Sequence, residues 1–332
     1  MTTLRQPARL FRAALMFAAT ALVAGATLTG ARAADTDYPT KPIKIIVPFP
    51  AGSGTDTSAR RIAQMIQEAT GQAAVVENKP GASGFIAAQA AATSPPDGYT
   101  LFVTTNTTHA ANASLFKKLP YDPIKDFAPI SRIAIAGLVL VVAPDSPIKT
   151  VSDLVKLAKE KPGKITFASG SSSTRIAGEM LASRGSVQML HIPYKGVPQA
   201  LTDVMGHQVD FMISDVTPAT PLIAAGKLRA IAVTLEKRHF NMPDVPTVGE
   251  TFPGYSMFAW SAAFAPTGTP RPIIDKLAAL IKAGVETPAM QENFKTTGGE
   301  GAPMSPDELG KFVVSETEKW AKAVKEAGIE PE

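Results

Sequence analysis

Apolar and polar positions along the chain follow two periods that alternate. IKIIVPF is a short continuous apolar run of the kind a buried strand carries, and TSARRIAQMIQEATG after it is an amphipathic helix closed by Gly71. AAVVENKP reads as a second strand and turn, SGFIAAQAAATS as a short helix before the PPDG turn, and YTLFVTT as a third strand. Beyond the Pro- and Asp-rich stretch PYDPIKDFAP, the apolar run RIAIAGLVLVVAP opens a second set of the same elements. TVSDLVKLAKEKPG has the Thr/Ser start, apolar stripe and Pro-Gly stop of a helix. KITFAS, IAGEMLASRG, QMLHIPY, PQALTDVMGH, QVDFMISD, TPLIAAGKLR and AIAVT then alternate strand and helix, and two long helices close the chain, RPIIDKLAALIKAGVET and PDELGKFVVSETEKWAKAVKEAG. This alternation predicts an α/β architecture with a largely parallel sheet.

The N-terminus breaks the pattern. Arg5, Arg9 and Arg12 precede the apolar run AALMFAATALVAGATL, and Ala31-Arg32-Ala33 supplies a small-x-small cleavage pattern, so residues 1–33 read as a secretory signal peptide cut after Ala33. The run is too short and too Ala-rich for a membrane span of about 20 strongly apolar residues. No Arg-Arg pair marks the twin-arginine route there, and with no cysteine in the chain neither a lipid-anchored thiol nor a disulfide is available; a Sec substrate released into the periplasm is expected.

Removing that segment changes the charge picture. Four of the 33 basic residues lie in it and none of the 29 acidic ones, so the mature chain is neutral, a poor field for nucleic acid or an anionic membrane. Its length, about 300 residues, exceeds the usual single core and predicts two lobes.

Two segments share a strand, loop and helix plan: KIIVPFPAGSGTDTSARRIAQMI and KITFASGSSSTRIAGEML. In such sheets ligands sit beyond the carboxyl ends of strands, where helix N-termini carry unpaired N–H groups and about half a positive charge. The loops around Ser53-Gly54 and Ser169 to Thr174 therefore read as an anion site in each lobe, suited to a small carboxylate, and equally as ordinary helix caps. Arg175, a cation at a helix start, works against the helix dipole and gains from a bound carboxylate; its bland alternative is a surface ion pair.

Enzymatic motifs find less support. Gly170 to Thr174 lacks the second glycine of a nucleophile elbow, no Walker lysine follows either loop, and GSGTDT is not a full dinucleotide pattern. His109, His191, His207 and His239 are scattered, so no metal site or cofactor is expected. A secreted serine hydrolase using Ser171 to Ser173 remains as a rival without positive signal.

YPTKPIKIIVPFPAGSGTD, VVENKPGASGFIAAQAAATSPPDGYTL, LFKKLPYDPIKDFAPIS, HIPYKGVPQALTDVMGHQVDFMISD, AGKLRAIAVT and DVPTVGETFPGY together resemble the periplasmic substrate-binding proteins of tripartite tricarboxylate transporters, the Bug family, over the whole mature chain. The resemblance implies an α/β, two-lobed class II periplasmic binding protein fold with a ligand cleft between the lobes. The lobes it implies are 34–134 with 257–332, and 135–256, hinged near Ile133 to Val141 and Phe258 to Phe264. It implies a monomeric receptor rather than an enzyme, which hands a small mono-, di- or tricarboxylate to a transporter's membrane subunits; some relatives serve a sensor kinase instead. The matching ligand positions are Phe49, Ala51, Gly52, Ser53, Gly54, Thr105 and Asn106 in one lobe. In the other they are Ser169, Ser171, Ser172, Ser173, Thr174, Arg175 and Asp215. Asp56 is expected to order the first loop rather than touch an anion. This chain departs from the family pattern at Ser53, where a glycine is common, and at Arg175, where a histidine or another residue often stands, so the particular ligand does not carry over. Phe49, Phe258 and Trp260 keep an aromatic ligand open.

Overall fold

The computed structural model describes residues 37–332, so the expected signal peptide, 1–33, lies outside the described residues. β1 (Ile43–Val47) leads through a tight loop into α1 (Gly54–Thr70), which Gly71 closes in the left-handed conformation at φ 71°. β2 (Ala74–Asn78), α2 (Phe85–Ala92) and β3 (Thr100–Thr105) follow, then a π-helical turn over Thr107–Ala111 and the short α3 (Asn112–Leu115). The long β4 (Phe127–Val142) precedes α4 (Val151–Glu160), β5 (Thr166–Ser169), α5 (Ser172–Gly185), β6 (Leu190–Pro193), α6 (Val197–Met205) and β7 (Phe211–Asp215). α7 (Val216–Ala224), β8 (Arg229–Val233), α8 (Val248–Thr251), β9 (Phe258–Pro266), α9 (Arg271–Val285), α10 (Pro288–Thr296), β10 (Gly299–Gly301) and α11 (Pro306–Glu326) complete the chain.

The strands run β2-β1-β3-β9-β4-β7-β5-β6, with β10 and β8 also on β4. Within each end of this order the pairs are parallel, β1 with β2 and β3, β5 with β6 and β7. Every pair made by β4 or β9 is antiparallel, which corrects the expectation of a largely parallel sheet. The cause is topological: β4 and β9 cross the molecule in opposite directions and tie the ends together. β4 pairs with β9 up to Gly137 and with β7 and β8 from Leu138 on, so one strand serves two groups. The result is a mixed α/β fold of two lobes, one built on β1 to β3 and the other on β5 to β7.

α11 fastens the first lobe. Leu309, Val313, Trp320 and Val324 form its buried stripe, and Glu316, also buried, accepts hydrogen bonds from the indole N–H groups of Trp260 on β9 (2.9 Å) and Trp320 (3.1 Å). A carboxylate is tolerated there because the two indoles are fixed by packing and Lys319 pairs with its other oxygen at 3.4 Å.

Candidate ligand cleft

The first expected loop is held by Asp56. Its carboxylate accepts from the Gly52 N–H (2.9 Å), the Arg60 guanidinium (2.9 Å) and the Asn78 amide (3.0 Å). Burial pushes this carboxyl up, but the bonds from Arg60, Gly52 and Asn78 outweigh it and keep it below the usual range. Gly52 stands at φ 81°, a conformation glycine adopts without strain, and this turns the chain so that Ser53 caps α1 by accepting from the Asp56 N–H (3.2 Å).

In the second loop the hydroxyl run divides its duties. Ser171 caps α5, and the Thr174 hydroxyl accepts from the N–H groups of Gly170 (3.0 Å) and Ser171 (3.1 Å), so those two donors are already engaged. Ser172 donates to the Asn112 side chain (2.9 Å), and Ser173 accepts from the Asn106 amide (2.6 Å). Both partners belong to the lobe of β3, so these hydroxyls join the lobes. Ser169 sits 2.7 Å from the His191 ring; burial, and then the charge of Arg175, lower that imidazole to about 4, so it is neutral at pH 7. No carboxylate among the described residues hydrogen-bonds the other nitrogen of this ring, so the pair lacks the orienting group of a hydrolase triad.

Three cavities mark where the lobes meet. A narrow one of about 20 Å³ is lined by Phe49, Ser53 and Thr105 from one side and Ser171, Ser173 and Asp215 from the other. It shares Phe49, Gly170 and Ser171 with a larger one of about 290 Å³, where Ser169, Ser172, Arg175, His191, Tyr194 and Lys195 face Ser83 and Phe116. Through Thr55, Thr105, Asp215 and Ala259 it meets a third, of about 50 Å³, walled by Gly54, Arg61 and Trp260.

Of the expected residues, Ala51 and Gly52 line none of these cavities, Asn106 is wholly buried in its bond to Ser173, and Thr174 is consumed in capping. Arg175 lines the larger cavity and forms an ion pair with Glu332, 2.7 Å away. His191, Tyr194, Lys195 and Arg61 were not singled out from the sequence. The first three lie on or just past β6, which runs parallel beside β5, and the rule that ligands gather at strand carboxyl ends would have found Tyr194 and Lys195. Arg61 carried no signal, because its burial depends on α10, which the sequence reading missed.

Two α/β lobes joined by shared long strands, with helix starts opposed across a cleft, define a two-lobed solute-binding protein. The chain belongs to the tripartite tricarboxylate transporter family receptors, whose family model matches residues 58–329. It is similar to Rpa4515 of R. palustris, solved with adipate, at 33% identity and a TM-score of 0.87, covering 89% of this chain and 100% of that one. The periplasmic binding protein BugD matches at 35% identity and 0.85 over 89% and 100%. MatC (Rpa3494) from Rhodopseudomonas palustris, with bound malate, matches at 30% identity and 0.81 over 86% and 100%. The family is one of periplasmic solute receptors, not of enzymes.

Proposed function

We propose that this protein closes two lobes, 34–134 with 257–332 and 135–256, around a small carboxylate and presents it to the membrane subunits of a tripartite transporter. One observation carries this reading: the starts of α1 and α5 open from different lobes onto one narrow cavity at Ser53 and Ser171. A helix start attracts an anion through its free N–H groups and its dipole, and two of them suit the two ends of a dicarboxylate. Relatives solved with adipate and with malate support the carboxylate class.

Ser53 and Gly54 form one pole of the site, with Phe49 and Thr105 beside them; Ser171 and Ser173 face them, and Arg175 with Ser169 and Ser172 lines the wider space beyond. The narrow cavity, about 20 Å³, has room for about one water, so the lobes must part to admit a ligand. The hinge that parts them is Ile133 to Val141 with Phe258 to Phe264, which cross between the lobes.

A thermal-shift screen of the mature protein tests this, using citrate, C4 to C6 dicarboxylates, acidic amino acids, nicotinate and phthalates. A ligand at a hundredfold excess over Kd stabilises the fold by about 2.7 kcal/mol, which a melting curve resolves. Shifts with neutral sugars or peptides alone would sink the carboxylate reading.

A further inference from the structure

The end of α10 touches both lobes. The helix stops at Thr296, and the carbonyls a helix leaves unpaired at that end need donors from outside it. Two come from the loop after β8, within 135–256. The Asn241 side chain donates to the Lys295 carbonyl, and the buried His239 ring bonds the Gly298 carbonyl at 2.8 Å. The fit is close: a Cβ at Gly298 would lie 2.3 Å from Cγ1 of Val216 on α7 and 3.4 Å from Cε1 of His239. Gly299, next in the chain, pairs with Ala136 of β4, so the contact lies beside the hinge.

On its other side α10 is held by α1, the helix whose start carries Ser53 and Gly54. Arg61 of α1 is buried, donates to Asn293 (2.8 Å) and Thr297 (2.7 Å), and stacks on the Phe294 ring at 4.3 Å. A buried guanidinium is costly unless its donors are used, and here they fix α10 to α1.

We propose that the end of α10 is a brace that couples α1 to the second lobe, with Arg61 and His239 as positioning residues for closure, and that protonation of His239 releases it. This deepens the receptor reading above and rests on it for what closure achieves.

The bonds of the His239 ring define its working state. Nδ1 accepts from the Asn241 N–H (3.1 Å), so Nε2 carries the proton and donates to Gly298. A second proton, on Nδ1, would set donor against donor. Lys237, Arg238 and Asp244 on its own loop, and Lys295 and Glu300 across the seam, are exposed, and α7 brings only the neutral Val216 and Thr220 to the same point. Burial therefore holds the ring below its ordinary value, against the raising effect of the bond to Gly298. The sign follows: the closed form needs the neutral ring, so what the brace adds is present above pH 6.5 and is lost as pH falls below it.

Amide hydrogen exchange on the unliganded mature protein tests the coupling without any ligand. Arg61→Met keeps a side chain against Phe294 and removes the donors; it should raise exchange at 293–298 and also at 239–245, which Arg61 does not touch. Asn241→Ala, at an exposed side chain whose loss spares the core, should raise exchange at 293–298 from the opposite side. Changes confined to the segment that carries each substitution overturn the brace. Calorimetry with citrate, adipate and malate at pH 8 and pH 5 tests the release. The affinity ratio of wild type to His239→Gln, whose amide can still donate to Gly298, should fall several-fold between the two, to a limit of about 30-fold set by the protonation of an ordinary histidine at pH 5. Titration of the ligand, of Asp215 and of His191 acts on both proteins and cancels in the ratio. A constant ratio overturns the role of His239 while leaving a carboxylate receptor. Binding of neutral solutes alone would remove the receptor reading, and hydrogen exchange would still decide whether α10 couples the lobes.

Discussion

The side-chain amide of Asn106, just past β3, donates to the hydroxyl of Ser173 on α5 across 2.6 Å, and both residues are buried. The Asn106 carbonyl in turn accepts from the Trp260 N–H of β9 at 3.3 Å, so Ser173 is anchored through one amide to a strand that crosses between the lobes. This bond exists only while the lobes are together. Ser173→Ala leaves a buried amide donor unpaired, a loss of about 1–3 kcal/mol that falls on the closed state. Affinity should therefore weaken by roughly 5- to 150-fold, and by the same factor for every ligand. Calorimetry with two ligands of different length checks it; a loss confined to one of them would make Ser173 a ligand contact instead.

Closure also depends on a residue that cannot grow. A Cβ at Gly196, at the start of α6, would lie 2.5 Å from Cδ of Pro50 in the first loop, whereas the Gly196 backbone, at φ −178°, is extended and accepts any residue. Gly196→Ala should thus leave the open form intact and prop the cleft apart. The expected signature is an unliganded melting temperature close to wild type with weakened binding. Small-angle scattering should show less compaction on adding ligand than the wild-type protein does; full compaction would mean that Pro50 moves aside.

Much of this fold was legible because its units are local. Gly71 ending α1, Thr150 capping α4 and the apolar run of β1 each announce themselves within a few residues. The antiparallel course of β4 and β9 did not, since strand direction is set by pairing between segments more than a hundred residues apart and leaves no periodic trace. The cleft was legible to the same extent. Ser53 and Ser171 follow from the rule that helix starts gather at strand ends. That Ser172 and Ser173 hold asparagines of the other lobe depends on where the π-helical turn after Thr105 delivers Asn106 and Asn112, which no local pattern encodes.

Arg175 offers a competition between two carboxylates. Its pair with Glu332 involves a side chain 57% exposed, and such pairs contribute about 0.2–1 kcal/mol. A ligand carboxylate reaching the guanidinium inside the cleft would gain about 1.5–3 kcal/mol, so the ligand should displace Glu332. Arg175→Ala should then weaken a dicarboxylate by roughly 10- to 150-fold and a monocarboxylate far less, while Glu332→Gln should tighten the dicarboxylate by less than about fivefold. Titration calorimetry separates the outcomes. No change in either variant would leave Arg175 a surface ion pair.

The pH dependence of stability sets two buried groups against each other. Burial lowers His109, stacked on Phe264 at 4.0 Å, to about 3, well under its unfolded value near 6.5. Below pH 6.5 the unfolded chain takes up a proton that the folded one refuses, so the stability this neutral histidine allows is lost as pH falls from 6.5 toward 3. Asp215 has the opposite sign for an acid. Burial raises it to about 6 from 3.8, so the folded form binds the extra proton between those values, and stability is lost as pH rises through that interval and stays lost above 6. Asp215→Asn should therefore stabilise the unliganded protein at pH 8 by on the order of 3 kcal/mol, with the gain shrinking below pH 6 and vanishing below about pH 4. Denaturant melts from pH 4 to 8 read this directly. A constant difference between variant and wild type across the range would show that Asp215 keeps an ordinary pKa, whereas a gain that grows from about pH 4 and is complete above pH 6 marks a carboxylate strained by its cleft.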